Sequence, residues 1–362
     1  MFDIIPPQYS TPIFHNTILF IVLFLSFQLV FKRYVIQGSL KKDYLSIVLL
    51  LFVILYMGLR PMSGGGFGDM YTYRIDFNNY ANGADLRKNI DFLWENFVKF
   101  CSGIMTDRWF FLVCAIIYTT PIYVASKNWL GRDKYILFLM FIASFSFWPY
   151  GTNGIRNGIA TSIFILAISY VNKRYLTYSL LVVTYFIHGS LIIPITTYVL
   201  TSFYKNPRHY LLGWVLCILI SLSFEGLFES FFYSLGFEDD RTSYLIQGNI
   251  NNDDFAYTGF RWDFLIYSSA AVFAGYYFII RRKFNDKIYI QIFNIYTISN
   301  AFWILIIRAN FSNRFAYLSW FLMALVIFYP FFKANFFKNQ HKVLAYVVLC
   351  YFGFTYLMFL IN

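Results

Sequence analysis

The chain has 362 residues, of which 59% are hydrophobic and only 13% are charged, and this composition excludes a soluble globular protein. The formal net charge is +11, but the basic residues lie between long apolar runs, as they do in the cytoplasmic loops of membrane proteins. The charge therefore reflects topology and gives no reason to expect a nucleic-acid partner. We predict an all-α, polytopic membrane protein in which residues 1–362 form a single integral membrane domain.

Apolar runs of about 15 to 21 residues recur along the chain, and each is close to the roughly 20 residues that cross the hydrocarbon core of a bilayer. The predicted membrane helices lie near residues 13–31, 44–59, 108–126, 134–149, 154–172, 210–223, 262–280, 288–307, 313–332 and 343–361. The segment 175–204 is predicted to cross twice, with a hinge at His188 and Gly189, because the basic residues on both sides of it belong in the cytoplasm. This topology has about twelve transmembrane helices, with long outer loops at residues 60–107 and 224–261.

The basic residues that this topology assigns to the outer side are mostly arginines. The outer side carries nine Arg and two Lys, whereas the inner side carries six Arg and twelve Lys. A guanidinium group binds phosphate oxygens through two parallel hydrogen bonds, which an ammonium group cannot reproduce. An outer surface rich in Arg therefore fits the recognition of a phosphate group.

Ionisable residues at the predicted outer ends of helices are the candidates for a functional site. His188 lies at the hinge, where a broken membrane helix must line a cavity enclosed by protein, and an imidazole is suited to accepting a proton. Arg156 begins an apolar helix, while Asp69 and Arg74 follow Arg60 in the first outer loop. Each also has a purely structural explanation, namely a packing histidine, an interfacial arginine or an ordinary ion pair.

A second group of candidates lies in the predicted outer turn that follows residue 307. It contains Arg308 and Arg314 together with Asn310 and Asn313. A plain turn does not need two guanidinium groups, although anchoring at the membrane interface explains one of them. This turn is therefore a further candidate for binding an anion.

Metal and cofactor chemistry finds no support in the sequence. The chain has no His-Glu-x-x-His and no Gly-x-Ser-x-Gly motif, and its four Cys and four His residues are not clustered. The glycine-rich run at residues 64–68 lacks the Lys and the strand-turn-helix context of a nucleotide-binding loop. We therefore expect no metal and no cofactor.

Four short motifs, in this order along the chain, carry a resemblance to a known family. They are Gly58-Leu-Arg60 followed by Asp69 and Tyr73, then Gly154-Ile-Arg156-Asn157-Gly-Ile-Ala160, Phe186-Ile-His188-Gly-Ser190 and Asn313-Arg314-Phe-Ala-Tyr317. With these motifs the chain resembles the EpsG-type branch of the Wzy polysaccharide polymerases, which are many-spanning bacterial proteins that join lipid-linked oligosaccharide repeat units. Asn157 departs from the family pattern, which usually has Gln there, and its shorter side chain puts a direct contact from this position in doubt.

The resemblance implies a Wzy-like, GT-C-type glycosyltransferase in the bacterial cytoplasmic (inner) membrane, with an active site that faces the periplasm or the outside. It implies metal-independent transfer between undecaprenyl-pyrophosphate-linked oligosaccharides, which serve as donor and acceptor, among membrane lipids and with a chain-length regulator protein as a further partner. The implied catalytic residues are His188, Arg156 and Asp69. The implied pyrophosphate- and glycan-binding residues are Arg60, Tyr73, Arg74, Asn157, Arg308, Asn313, Arg314 and Tyr317.

Three other functions compete with the polymerase. A lipid-linked oligosaccharide flippase needs cavity charges that are accessible from both sides, whereas the candidates here crowd at the outer end. A membrane O-acyltransferase needs a histidine with an acid nearby, which the sequence does not reveal. An O-antigen ligase uses the same chemistry as a polymerase, and the sequence does not separate the two.

Overall fold

A computed structural model of the protein describes residues 5–31, 41–62, 68–87, 91–224, 259–309 and 312–361. These ranges contain helices and turns but no β-strand. Six helical segments in them are long and apolar enough to cross a membrane, and four shorter apolar helices accompany them. The predicted all-α, polytopic membrane class is thereby confirmed, whereas the number of about twelve spans stays a prediction.

The helices are numbered in chain order over the described residues. They are α1 (Pro7–Val30), α2 (Lys41–Gly58), α3 (Asp69–Ala81), α4 (Phe92–Ser102), α5 (Asp107–Leu130), α6 (Lys134–Ile142), α7 (Phe147–Thr152), α8 (Ile155–Ser169), α9 (Arg174–Ile187), α10 (Ile192–Phe203), α11 (Pro207–Ser223), α12 (Trp262–Gly275), α13 (Lys287–Leu305), α14 (Asn313–Trp320), α15 (Met323–Lys333) and α16 (Gln340–Ile361). Short 3₁₀ turns lie at Gly131–Asp133 and Gly189–Leu191, and a π-helical turn at Tyr276–Arg281 extends α12. Most of the predicted outer loop at 224–261 lies outside the described residues.

The predicted helix at residues 134–149 is divided into α6 and α7. Its end contains Pro149, which has no N–H and would leave a carbonyl group unpaired inside a continuous helix. In α7, Pro149 occupies the first turn, where an N–H has no helical partner in any case. The predicted helix at 313–332 is also divided, because Phe321 and Leu322 form a turn between α14 and α15.

The predicted break in segment 175–204 is confirmed at His188. Helix α9 ends at Ile187, His188 has an extended backbone with φ −153° and ψ 115°, and the 3₁₀ turn follows at once. Hydrogen bonds continue across the break, since the N–H of His188 donates to Thr184 and the N–H of Leu191 donates to His188. The break therefore leaves Gly189 and Ser190 as the positions whose N–H groups need partners from elsewhere.

The chain packs as two compact units. One contains Met1–Leu191 and Phe331–Asn362, and the other contains Ile192–Pro330. In the first unit, α1 packs against α16, α2 against α5, and α8 against both α5 and α9. In the second unit, α13 packs against α10, α11, α12 and α14. The prediction of a single membrane domain stays a prediction.

Polar side chains on the central helix α13 are paired within the second unit. Nε1 of Trp214 donates to Oδ1 of Asn300 at 2.8 Å, and Nδ2 of Asn300 donates to Oγ of Ser319 at 3.1 Å. The hydroxyl groups of Thr197 and Ser299 lie 3.3 Å apart. Such hydrogen bonds hold helices together in a membrane because lipid offers no alternative partner.

The predicted first outer loop contains the helix pair α3 and α4. The rings of Tyr73 and Trp94 meet edge to face at 5.4 Å between centroids, and the hydroxyl of Tyr80 donates to the buried carboxylate of Glu95. Burial, followed by the hydrogen bond to Glu95, raises the pKa of Tyr80 to about 12. Helix α4 also packs against α5 and α9, so this loop is attached to the membrane helices of its own unit.

Candidate active site

His188 stands at the break after α9 and is buried, with 11% of its side chain exposed. Nδ1 of its ring lies 3.3 Å from Oδ2 of Asp91. A carboxylate can only accept a hydrogen bond, so in this contact Nδ1 carries the proton. This tautomer puts the basic lone pair on Nε2, at the opposite side of the ring.

Arg156 reaches the same carboxylate from a different helix. It is the second residue of α8 and 14% of its side chain is exposed, and its Nη1 lies 2.7 Å from Oδ2 of Asp91. A cation in the first turn of a helix is opposed by the helix dipole. The carboxylate of Asp91 offsets that repulsion, and it makes a short, charge-assisted hydrogen bond with the guanidinium group.

Asp91 is the residue that brings the two sequence-predicted catalytic side chains together. It directly precedes α4 but does not cap that helix with its side chain. Its Oδ1 instead accepts from the N–H of Gly189 at 2.8 Å, so it supplies a partner that the break after α9 requires. We refer to Asp91, Arg156, His188 and Gly189 as the Asp91 cluster.

The donors in the Asp91 cluster keep its carboxylate ionised. Burial by itself raises the pKa of Asp91, since it disfavours the charged form. The hydrogen bond and the electrostatic attraction of the His188 ring, the charge of Arg156 and the N–H of Gly189 act in the opposite direction. Together they outweigh burial and lower the pKa of Asp91 below its ordinary value of 3.8.

The connection between α7 and α8, just before Arg156, receives two other predicted site residues. The buried guanidinium of Arg60 donates from Nη1 to the carbonyl of Met57 and from Nη2 to the carbonyl of Thr152 at 3.0 Å. Oδ1 of Asn153 accepts from the backbone N–H of Asp69 at 2.6 Å. Arg60 and Asp69 of the first motif thus contact the two residues just before the second motif.

A model of the EpsG family matches residues 43–362, which is most of the chain. This protein belongs to the EpsG family. No curated protein and no solved structure matches the chain. Membership gives this EpsG protein a polymerase-like, glycosyltransferase-type role in polysaccharide biosynthesis as a multi-pass membrane protein.

The remaining candidates in the first unit of the EpsG protein have mixed surroundings. Tyr73 is buried between α3 and α4. Arg74 is largely exposed, and its Nε lies 2.7 Å from Oδ2 of Asp107, which is the internal ion pair that the sequence left open. Oδ1 of Asn157 lies 3.3 Å from Oγ1 of Thr161. Their roles in substrate binding stay predictions, as do those of Arg60 and Asp69.

The other candidates belong to the second unit of the EpsG protein. The guanidinium carbon of Arg308 lies 5.5 Å from the centre of the Phe260 ring. Arg314 is partly buried and Tyr317 is buried, whereas the side chain of Asn313 lies outside the described residues. The expectation that they join the Asp91 cluster in one anion site stays a prediction.

Asp91 is the residue of the cluster that the sequence alone does not indicate. The predicted first outer loop contains several acids, of which the sequence singles out only Asp69, because it follows Arg60 closely. The available signal was the position of Asp91 directly before the amphipathic stretch that forms α4, since an acid there can either cap the helix or serve another group. Among the described residues, no group of three His, Cys, Asp or Glu side chains could hold a metal ion.

Proposed function

We propose that this protein joins undecaprenyl-pyrophosphate-linked oligosaccharide repeat units at the outer face of the bacterial cytoplasmic membrane. The observation that carries the proposal is the pair of contacts that Oδ2 of Asp91 makes with Arg156 and His188. These contacts bring together a cation suited to a diphosphate, Arg156, and an imidazole with a defined tautomer, His188. These are the two groups that glycosyl transfer from a lipid diphosphate requires. The protein that contains them belongs to a polysaccharide polymerase family.

In the proposed reaction, a hydroxyl group of the incoming repeat unit attacks the anomeric carbon of the donor glycan. Nε2 of His188 accepts the hydroxyl proton as the new glycosidic bond forms. The bond between the anomeric carbon and the phosphate oxygen breaks, and its electron pair leaves with undecaprenyl pyrophosphate. The Nδ1 contact with Asp91 holds the ring so that Nε2 is the basic nitrogen.

Arg156 stabilises the charge that develops on the departing diphosphate. A guanidinium has five N–H donors in a planar fork that matches the oxygens of a phosphate group. One well-placed donor of this kind lowers a barrier by roughly 3 to 4 kcal/mol. Arg308 and Arg314 add positive charge in the proposal. These guanidinium groups supply what a divalent cation supplies elsewhere, and the proposed transfer is metal-independent.

Each substrate lipid requires its own contacts in this proposal. Arg60 and Arg74 serve the diphosphate end of the second lipid, and Asp69 is the alternative acceptor of the hydroxyl proton. Tyr73, Asn157, Asn313 and Tyr317 serve the glycans. A chain-length regulator protein is the proposed protein partner. The support for these assignments is the place of the residues in the four motifs, except for Arg74, which directly follows Tyr73 of the first motif.

One observation favours a second candidate function. An imidazole held by a carboxylate, as His188 is by Asp91, also suits a membrane O-acyltransferase, in which it would activate a sugar hydroxyl toward an acyl group. Family membership favours glycosyl transfer. Analysis of the product separates the two functions, because acyl transfer changes the modification of a glycan and leaves its length unchanged.

The experiment tests His188 and Arg156 in a strain that lacks the chromosomal gene. His188→Gln and Arg156→Gln are expressed in it, with His341→Gln and Arg261→Gln as controls outside the Asp91 cluster. We expect the first two variants to leave only single repeat units, and the controls to restore long chains. Long chains of normal length from either cluster variant would refute the proposed function. In the deletion strain without any variant, long chains retained on lipid would indicate a ligase.

A further inference from the structure

Asp91 is placed to do more than hold a histidine. Its Oδ2 is shared between Nη1 of Arg156 at 2.7 Å and Nδ1 of His188 at 3.3 Å. Both partners are mostly buried, and so is Asp91, with 10% of its side chain exposed. In such surroundings a charge interaction is far less screened than at the surface, so a change at one partner is felt by the other.

The cation that the leaving group needs is already engaged by an anion. In the proposed function, Arg156 binds the diphosphate of the donor lipid, yet its guanidinium makes a short ion pair with Asp91. A diphosphate carries more negative charge than a carboxylate and accepts hydrogen bonds from a guanidinium in the same planar geometry. The two anions therefore compete for Arg156.

Loss of Arg156 would leave Asp91 still anchored. Oδ1 keeps the hydrogen bond from the N–H of Gly189, which is part of the backbone and cannot move away independently. Oδ2 keeps Nδ1 of His188. With the compensating cation removed, the carboxylate exerts a stronger field on the imidazole, and this raises the affinity of Nε2 for a proton.

We propose that Asp91 is a positioning residue that holds Arg156 until the diphosphate of a donor lipid replaces it, and that this exchange activates His188 as the base. The inference rests on the proposed function and deepens it. Asp91 itself neither accepts the hydroxyl proton nor touches the reacting carbon. The base becomes stronger only when a donor is present, so binding of the donor and activation of the acceptor are coupled through one carboxylate.

The test separates binding from turnover, because exchange predicts opposite effects of Asp91→Asn on the two. The full-length protein is purified in detergent, and its Kd for farnesyl pyrophosphate, a soluble polyprenyl diphosphate, is measured. Asp91→Asn removes the competing charge, and we expect it to lower the Kd by about fivefold or more. The same variant is expected to abolish long chains in the deletion strain, since His188 is no longer activated.

Controls define the two limits of the measurement. Arg156→Gln is expected to raise the Kd at least about tenfold. Asp76→Asn, which removes another carboxylate of the α3 and α4 pair where it binds Arg87, is expected to leave the Kd and the glycan length unchanged. If Asp91→Asn does not accumulate, Asp91→Glu provides the test, because it keeps the negative charge. Its Kd is expected to stay within about twofold of the wild-type value, and it is expected to restore part of the polymer.

Three results would overturn the exchange. The first is a higher Kd for Asp91→Asn in a protein of unchanged thermal stability. The second is that Asp91→Asn makes long chains of normal length. The third is a Kd raised tenfold or more for a stably folded Asp91→Glu. The first would mean that the carboxylate helps to build the anion site, and the second that His188 needs no partner. If His188→Gln and Arg156→Gln also make long chains, the proposed function fails as well; if they do not, only the exchange fails.

Discussion

The backbone N–H of Gly189 donates a hydrogen bond of 2.8 Å to Oδ1 of Asp91, and this bond joins the helix pair α3 and α4 to the broken end of α9. An N–H that is withdrawn from both water and a helix costs several kcal/mol in a membrane unless it finds a partner. The break after α9 therefore needs the carboxylate of Asp91 as an acceptor, and the N–H of Gly189 in turn holds that carboxylate in place. The same carboxylate contacts Arg156 and His188. Asp91 therefore affects both the stability of the hinge and the geometry of the site.

Asp91→Ala is expected to destabilise the protein by about 3 to 5 kcal/mol, as the loss of one partner from a buried ion pair commonly does. It removes the carboxylate that pairs with Arg156 and leaves the N–H of Gly189 without its acceptor. Asp91→Asn should cost clearly less, since an amide oxygen can still accept from Gly189. Thermal unfolding in detergent provides the measurement, and equal unfolding temperatures for the two variants would argue against the Gly189 bond.

Acid should remove this stabilisation in a defined pH range. The folded-state pKa of Asp91 is lowered below 3.8, so its contribution is fully present above the ordinary pKa and is lost as the pH falls through the lowered one. Between about pH 5 and about pH 3 we expect the unfolding temperature of wild type to fall more steeply than that of Asp91→Asn. Parallel curves would show that the pKa of Asp91 does not differ between the folded and the unfolded protein.

Replacement by Met should destabilise the protein much more at Arg60 than at Arg74. Arg60→Met removes charged hydrogen bonds to the carbonyls of Met57 and Thr152, each worth about 1.5 to 3 kcal/mol, and it should lower the unfolding temperature and the amount of protein. Arg74→Met removes an exposed pair with Asp107 and should cost at most about 1 kcal/mol.

Glycan length in the deletion strain then separates structure from binding for these two arginines. Loss of long chains from a stable Arg74→Met protein would support its assignment to a lipid phosphate. A stable Arg60→Met protein without long chains would contradict the structural role that burial assigns to Arg60.

Sequence reasoning located the parts of the Asp91 cluster that lie on membrane helices. His188 was identifiable because charge parity requires a break in segment 175–204, and Arg156 because a cation at the start of an apolar helix is unusual. Both arguments use local pattern and topology. The same arguments predicted the all-α class and most helix positions, with errors where Pro149 restarts a helix and where Phe321 and Leu322 form a turn.

Asp91 could not be selected in this way, because nothing in the sequence states which acid of a long loop reaches two distant helices. Its contacts are with α8 and with the end of α9, far away along the chain. Contacts of this kind are set by how α4 packs against α9. For the same reason, the sequence does not reveal that Arg60 donates to the carbonyl groups at the ends of α2 and α7.

Gly158 provides the sharpest test of how α8 is positioned. A Cβ atom at this residue would lie 2.6 Å from the carbonyl oxygen of Tyr150 in α7, and a backbone atom cannot rotate away as a side chain can. Gly158→Ala should therefore push α8 from α7, cost about 1 to 3 kcal/mol as overpacking does, and displace Arg156 from Asp91.

Gly353→Ala is the matched control for Gly158→Ala, because a Cβ at this helical glycine meets nothing within 4 Å. Alanine is the better helix former by about 1 kcal/mol, so this variant should be as stable as wild type or more so and should make long chains. We expect Gly158→Ala to lower the unfolding temperature and to shorten the glycan. If both alanine variants make long chains of normal length, the close approach of α7 and α8 is not what positions Arg156.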